Sequence, residues 1–366
     1  MVTGFLFIFI IGVLGNSMVI YVFLWKHKKR SPMELIIVYL AVSDLVASIM
    51  NPFLYIYLNL TGFEQWHFGR FCCTLFPVLT TLSVTVSLGL ILLITIERCR
   101  VIVNPFNGLF NKKHVRYMVL VVVCLSVLNE LPYLTHQTIQ PVATVKYNCI
   151  KTDGYADDQV QTQYIRKTDY VEHCDTAKAS YYINTTSRSY NTNTKISSLS
   201  GGHLFCLKES CYQRKFCSPK PTKVYALTRS LTIILRDFIF VVVFISCNCA
   251  IYAKLMDPEH RAILESSNSC ARLDPRRTLK MLMALALVFA VLVLPKDLYT
   301  TTYTLSFYAG KTIITDGVKA QDINTSLKLL QSFNSIANIF IYDKLHTSFK
   351  VAFRGALTNT RFTSSV

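Results

Sequence analysis

The sequence predicts an all-α membrane protein, a seven-transmembrane helix bundle with its N-terminus outside, its C-terminus in the cytosol and a long cysteine-containing second outer loop. Three observations predict it. The 366 residues are 52% hydrophobic and only 16% charged, with a mean hydropathy of +0.36, more apolar surface than a soluble domain usually hides. The apolar residues gather into seven blocks, each near the ~20 residues an α-helix needs to cross ~30 Å of hydrocarbon. Lysine and arginine collect in the loops that share one side after seven crossings, and seven of the twelve cysteines fall on the other side.

The first block covers 5–25 and runs into the basic stretch WKHKKR, which suits a span that stays in the membrane better than a cleaved signal peptide. The second covers 35–58, the third 74–96 and the fourth 115–139. The fifth, 226–252, holds Arg229, Arg236 and Asp237. The sixth, 278–301, ends in Lys296 and Asp297, and the seventh, 324–342, carries Lys328, Asn334 and Asn338. Polar groups at such depth are tolerated only where they face a bundle interior or a watery cavity. One polytopic membrane domain, 1–343, is therefore expected, followed at 344–366 by a short cytosolic amphipathic helix and tail.

Four loops set the orientation. Residues 25–30 carry four basic side chains, 97–116 five against one acid, 254–280 six against four, and the tail from 343 four against one. The excess of positive charge makes this side cytoplasmic. The long segment 140–223 is also basic, twelve against seven, but loops of this length translocate largely regardless of charge. Anionic inner-leaflet lipid accounts for much of the net charge of +17, and no nucleic-acid partner is needed to explain it.

The outer segment carries Cys149, Cys174, Cys206, Cys211 and Cys217 and reads as a cysteine-stapled lid with a flexible middle. Asn184, in NTT, is the glycosylation acceptor expected to lie farthest from the membrane. HExxH, GxSxG and P-loop patterns are absent from the sequence, and its eight histidines form no ligand-spaced cluster. An enzyme is not expected.

A glutamate and an arginine, Glu97 and Arg98, stand at the end of the third block with no loop-forming residue before them. Adjacent residues on a helix do not face one another well, yet a paired guanidinium costs less at a partly dry rim than an isolated one. Its planar head can be satisfied by the carboxylate or by carbonyls of a docking protein, which are the two partner sets a switch needs. The plainer alternative is a snorkelling arginine that marks the interface.

Motifs along nearly the whole chain outside the long loop carry a family resemblance. Gly15-Asn16 lies in the first span, LAVSDL around Asp44 in the second, and WHFGRFCC introduces the third. Arg98 follows Cys73 by 25 residues and Pro105 follows Arg98 by seven. Phe289 and Pro295 stand six apart in the sixth span, and NSIANIFIY, 334–342, closes the seventh. In these features the chain resembles the rhodopsin-like (class A) G-protein-coupled receptors, in a divergent, peptide-receptor-like form. It departs from them at Cys99, where the family has tyrosine, and at Phe244, Leu292, Val293 and Ile339, where a proline, a cysteine, a tryptophan and a proline are usual.

The resemblance implies a receptor at the plasma membrane that passes an extracellular signal to a heterotrimeric G protein. It implies a coupling switch at Glu97, Arg98, Tyr252, Asn338 and Tyr342. It implies an allosteric sodium ion among Asp44, Ser87, Asn334, Ser335 and Asn338, for which a water-filled hydrogen-bond network is the alternative, and no other cofactor. The family ties Cys73 to the long outer loop, here through Cys149, Cys174, Cys206, Cys211 or Cys217, with the last two favoured by their place before the fifth span. Thr80 stands where amine receptors of the family carry aspartate, and Ser332 where opsins carry the retinal lysine. Arg236, Asp237, Lys296, Asp297 and Lys328 fall at the depth of the family's ligand pocket. There Arg236 either pairs internally or receives a ligand carboxylate. A peptide is the favoured ligand; a small carboxylate, a lipid or an odorant stays open, as does a transporter or channel.

Overall fold

The computed structural model describes residues 1–26, 31–61, 66–104, 110–153, 162–171, 180–184, 202–220, 222–258, 275–310 and 317–345. Helix α1 is Val2–Tyr21, prolonged by a π-helical turn Val22–Lys26, and α2 is Pro32–Leu60. Next come α3, Gly69–Val103, and α4, Lys112–His136. Helix α5 is Lys223–Met256. Helix α6, Pro275–Val288, passes through a π-helical stretch Phe289–Val293 into α7, Leu294–Tyr308. Helices α8, Gly317–Ser332, and α9, Asn334–Leu345, meet at Phe333 and together follow the seventh block. Six helices among the described residues are long and apolar enough to cross a membrane. The expected helix and tail at 344–366 lie outside the described residues beyond Leu345.

Local sequence explains the sharp start of α2. Ser31 Oγ accepts from the Glu34 amide at 3.3 Å, while the Ser31 amide donates to Glu34 Oε2 at 2.7 Å. Pro32, in the first turn, loses no intrahelical bond there, because its missing N–H would have been an orphan.

The helices pack closely where side chains are small. Gly12 lies against Ser48 of α2, and Gly15 against Ile339 of α9, so a Cβ at either position would collide. Asn16 then donates to the carbonyls of Gly12, at 2.9 Å, and Ser335, at 3.2 Å, tying α1 to α9 across the bundle. Phe238, Ile245, Leu125 and Leu128 stay exposed on α5 and α4, as a surface solvated by hydrocarbon requires.

The helical bundle carries one further element, a sheet in the long segment between α4 and α5. Residues read as a lid instead form four antiparallel strands: β1 Gln137–Asp153, β2 Thr162–Val171, β3 Ser180–Asn184 and β4 Gly202–Pro219. They lie in the order β2-β1-β4-β3. The register pairs Val145 with Cys211 and Cys149 with Cys206, with one irregularity between Lys146 and Tyr147. Strand β1 begins directly after His136, so the fourth helix ends before the boundary expected at 139. Backbone pairing explains the extended chain: each strand covers the otherwise orphaned N–H and C=O groups of its neighbour.

Two contacts fix this sheet to the helices. Cys73 in α3 is disulfide-bonded to Cys217 in β4, and the Trp66 amide donates to the Lys215 carbonyl at 2.8 Å. Trp66, Phe68, Phe76 and Tyr57 pack edge to face around this junction, burying Trp66 and Cys73. Cys211 is also disulfide-bonded, while Cys72 is a free thiol. Cys174 lies outside the described residues. Asn184 ends β3, and the rest of its sequon falls outside them.

Candidate functional site

Three polar assemblies lie inside the apolar bundle. The first is at the end of α3 remote from the sheet. Glu97 and Arg98 are both buried, with Arg98 Nε 3.2 Å from Glu97 Oε2. The pair is in ionic contact, but neither Glu97 oxygen accepts a hydrogen bond among the described residues, the poor alignment expected of helix neighbours. Arg98 also reaches the Met33 sulfur of α2. Cys99 of α3 and Cys247 of α5 lie near one another as free thiols. Tyr252 lies exposed on α5, away from this burial, and the Tyr342 side chain lies outside the described residues.

The second assembly centres on Asp44. Its Oδ1 accepts from the Ser87 hydroxyl and its Oδ2 from Asn338 Nδ2, each at 2.8 Å. Ser43 Oγ lies 3.2 Å from Ser87 Oγ and donates to the Ser83 carbonyl at 3.0 Å. Asn334 and Ser335 are buried at the start of α9. The Oδ1 atoms of Asn334 and Asn338 accept no hydrogen bond among the described residues. Buried carboxylate, hydroxyl and amide oxygens of this kind fit a hard cation.

The third assembly is a network of charges toward the sheet-bearing end. Arg236 in α5 donates through Nε and Nη2 to Asp237 Oδ1, at 2.9 and 2.8 Å, and through Nη2 to Asp297 Oδ2 of α7 at 2.5 Å. Its Nη1 lies 3.3 Å from Thr85 Oγ1, whose hydroxyl donates to Glu130 Oε1 at 2.9 Å. Glu130 in turn pairs with Arg229 Nη1 at 2.8 Å. The guanidinium fork of Arg236 is thus engaged inside the protein, the internal pairing that the sequence left as one of two alternatives.

Lysines extend the network. Lys296 Nζ donates to Thr300 Oγ1 at 2.9 Å and Asn324 Oδ1 at 2.5 Å. Lys328, 2% exposed, donates to the Thr80 carbonyl at 3.1 Å and Gln331 Oε1 at 3.0 Å. Thr80 therefore presents its backbone oxygen here, since its hydroxyl bonds the Pro77 carbonyl.

The six pocket residues expected from the sequence fall in one region, but their pairing was hidden. The sequence marks Glu130, next to Pro132 near the outer end of the fourth span, as a weaker candidate, but its pairing with Arg229 and the bridging roles of Thr85, Asn324 and Gln331 were missed. One signal was available: Arg229 and Arg236 stand seven residues apart, close to two helical turns, and so share a face.

Comparison with known proteins covers part of the chain. Residues 15–171 match the family described as 7 transmembrane receptor (rhodopsin family). The chain is 29% identical over 167 residues to neuropeptide Y receptor type 1 of Xenopus laevis, covering 43% of this chain and 44% of that protein. It is 32% identical over 153 residues to neuropeptide Y receptor type 4 of Mus musculus, covering 41% and 39%. Against the Gq-coupled rhodopsin of Mizuhopecten yessoensis it is 33% identical over 126 residues, covering 34% and 25%. The matched stretch is thus less than half the length of each of these relatives.

Proposed function

We propose that this chain, whose residues 15–171 match the rhodopsin-family receptor model, is a class A (rhodopsin-like) plasma-membrane receptor that passes an extracellular peptide signal to heterotrimeric G proteins. The observation that carries the reading is the buried Glu97–Arg98 pair at the end of α3 opposite the sheet. The pair is only loosely aligned, so a docking helix that offers carbonyl acceptors to Arg98 has a weak competitor in Glu97. Similarity to two neuropeptide Y receptors supports a peptide as the ligand. A sheet braced to α3 by Cys73–Cys217 supports it as well, since strands offer a peptide a broad polar platform.

In this reading the sheet end and the N-terminus face outward, and the Arg98 end faces the cytosol. Arg98, Glu97 and Tyr252, with Asn338 and Tyr342 of α9, form the coupling side. Asp44, Ser87, Asn334, Ser335 and Asn338 would hold a sodium ion, which would supply positive charge at the Asp44 carboxylate and join α2, α3 and α9. The oxygens of Asn334 and Asn338 without hydrogen bonds support that assignment.

The test is nucleotide exchange on purified G protein under a peptide library. Arg98→Ala should reach the cell surface at near-parental levels and lose most agonist-stimulated exchange. Parental exchange by that variant would reduce the pair to an interfacial anchor.

A further inference from the structure

Among the described residues, the charge network at the sheet-bearing end does not balance. It joins four cations, Arg229, Arg236, Lys296 and Lys328, to three carboxylates, Glu130, Asp237 and Asp297. The two arginines take all three carboxylates. Both lysines are left with neutral acceptors: Thr300 and Asn324 for Lys296, Gln331 and the Thr80 carbonyl for Lys328. Among the described residues neither lysine makes an ion pair. A buried ammonium held by neutral oxygens is poorly compensated, and Lys328 is almost fully buried. Its Nζ uses two of its three N–H donors in the bonds to Thr80 and Gln331. Lys296 is partly exposed and lies within electrostatic range of Lys328, as do the Asp297 and Glu130 carboxylates already engaged by the arginines.

We infer that Lys296 and Lys328 together receive a carboxylate of the ligand, which brings the network to charge balance. This deepens the receptor reading and rests on it, because it takes the network to be the ligand site. It also moves the anion contact away from Arg236, whose fork is engaged by Asp237 and Asp297. Lysine is well suited to hold such a group, because its three donors on a flexible stem can take up a carboxylate without the planar alignment an arginine demands.

The test is thermal unfolding of the purified full chain, followed by tryptophan fluorescence. The probes are hexanoate, hexanamide, N-acetylphenylalanine, N-acetylphenylalaninamide and chloride at matched ionic strength. N-acetylphenylalanine stands for a peptide carboxyl terminus and hexanoate for a free small acid. At least one of the two acids should raise the midpoint by several degrees in the parent and in Lys328→Arg. Its amide and chloride should leave the midpoint unmoved, and Lys328→Met and Lys296→Met should abolish the rise. Without added acid, Lys328→Met should unfold at or above the parental midpoint, because it removes a buried ammonium that makes no ion pair among the described residues; a purely structural lysine predicts a fall. The inference is overturned if both acids match their amides, if chloride does as well, or if the rise persists in both methionine variants. Nucleotide exchange is not read in this assay, so a chain that binds acid but never activates a G protein would defeat the receptor reading and leave the lysine site standing.

Discussion

Glu130 and Arg229 are each nearly inaccessible and answer one another at 2.8 Å. Removing one partner of a buried pair leaves a charge that neither water nor protein compensates, at a cost of about 3–5 kcal/mol. Glu130→Ala should therefore lower the thermal midpoint sharply. Glu130→Leu combined with Arg229→Met should recover most of the loss, because no charge then remains to be solvated. A double variant as unstable as the single one would mean that the pair does more than neutralise itself. Asp44 makes a second case. If sodium sits among Asp44, Ser87, Asn334, Ser335 and Asn338, replacing choline chloride by sodium chloride should raise the midpoint of the parent and leave Asp44→Asn unchanged. An equal rise in both would place the effect elsewhere. Residue identity made these positions legible in the sequence, since charge in an apolar block has few uses. Which charge meets which was not legible, because Glu130 and Arg229 stand 99 residues apart.

The helices could be read from their apolar blocks, and the start of α2 from SPME alone. Ser31→Ala removes the acceptor for the Glu34 amide and should cost about 1 kcal/mol, measurable as a lower midpoint with unchanged nucleotide exchange at low temperature. The sheet was harder to see. VATVKY in β1 and TQYIRKTDYV in β2 have the β-branched and aromatic content of strands, but β1 takes one of its partners from β4, more than 50 residues farther along. Such pairing leaves no local period to find. The disulfide partner of Cys73 was underdetermined for the same reason. The structure selects Cys217, so proteolysis without reduction should release a peptide pair containing both residues. Cys73 recovered with Cys149 or Cys206 would require another register for β4. On the far side of the bundle, mild copper-phenanthroline oxidation should cross-link Cys99 of α3 to Cys247 of α5, two free thiols that lie near one another. Failure of that cross-link would mean that the two helices stand farther apart in the membrane.

For the whole molecule, one bond and one helix fix the direction in which a signal would travel. A disulfide persists in an oxidising compartment, so in the proposed reading the end of α3 that carries Cys73–Cys217 lies outside the cell. Arg98 follows Cys73 by 25 residues on the same helix. At 1.5 Å per residue that separates them by about 37 Å, more than the ~30 Å hydrocarbon core. In that reading Arg98 reaches the cytosolic boundary, on the same side as the basic loops. An epitope placed between residues 190 and 191 should bind antibody on intact cells, whereas one after residue 366 should bind only after permeabilisation. The reverse pattern would put Arg98 outside, beyond the reach of any G protein, and would also leave Cys73–Cys217 in a reducing compartment. Staining of the C-terminal tag on intact cells is therefore the outcome that would sink both the coupling role of Arg98 and the outward-facing site at Lys296 and Lys328.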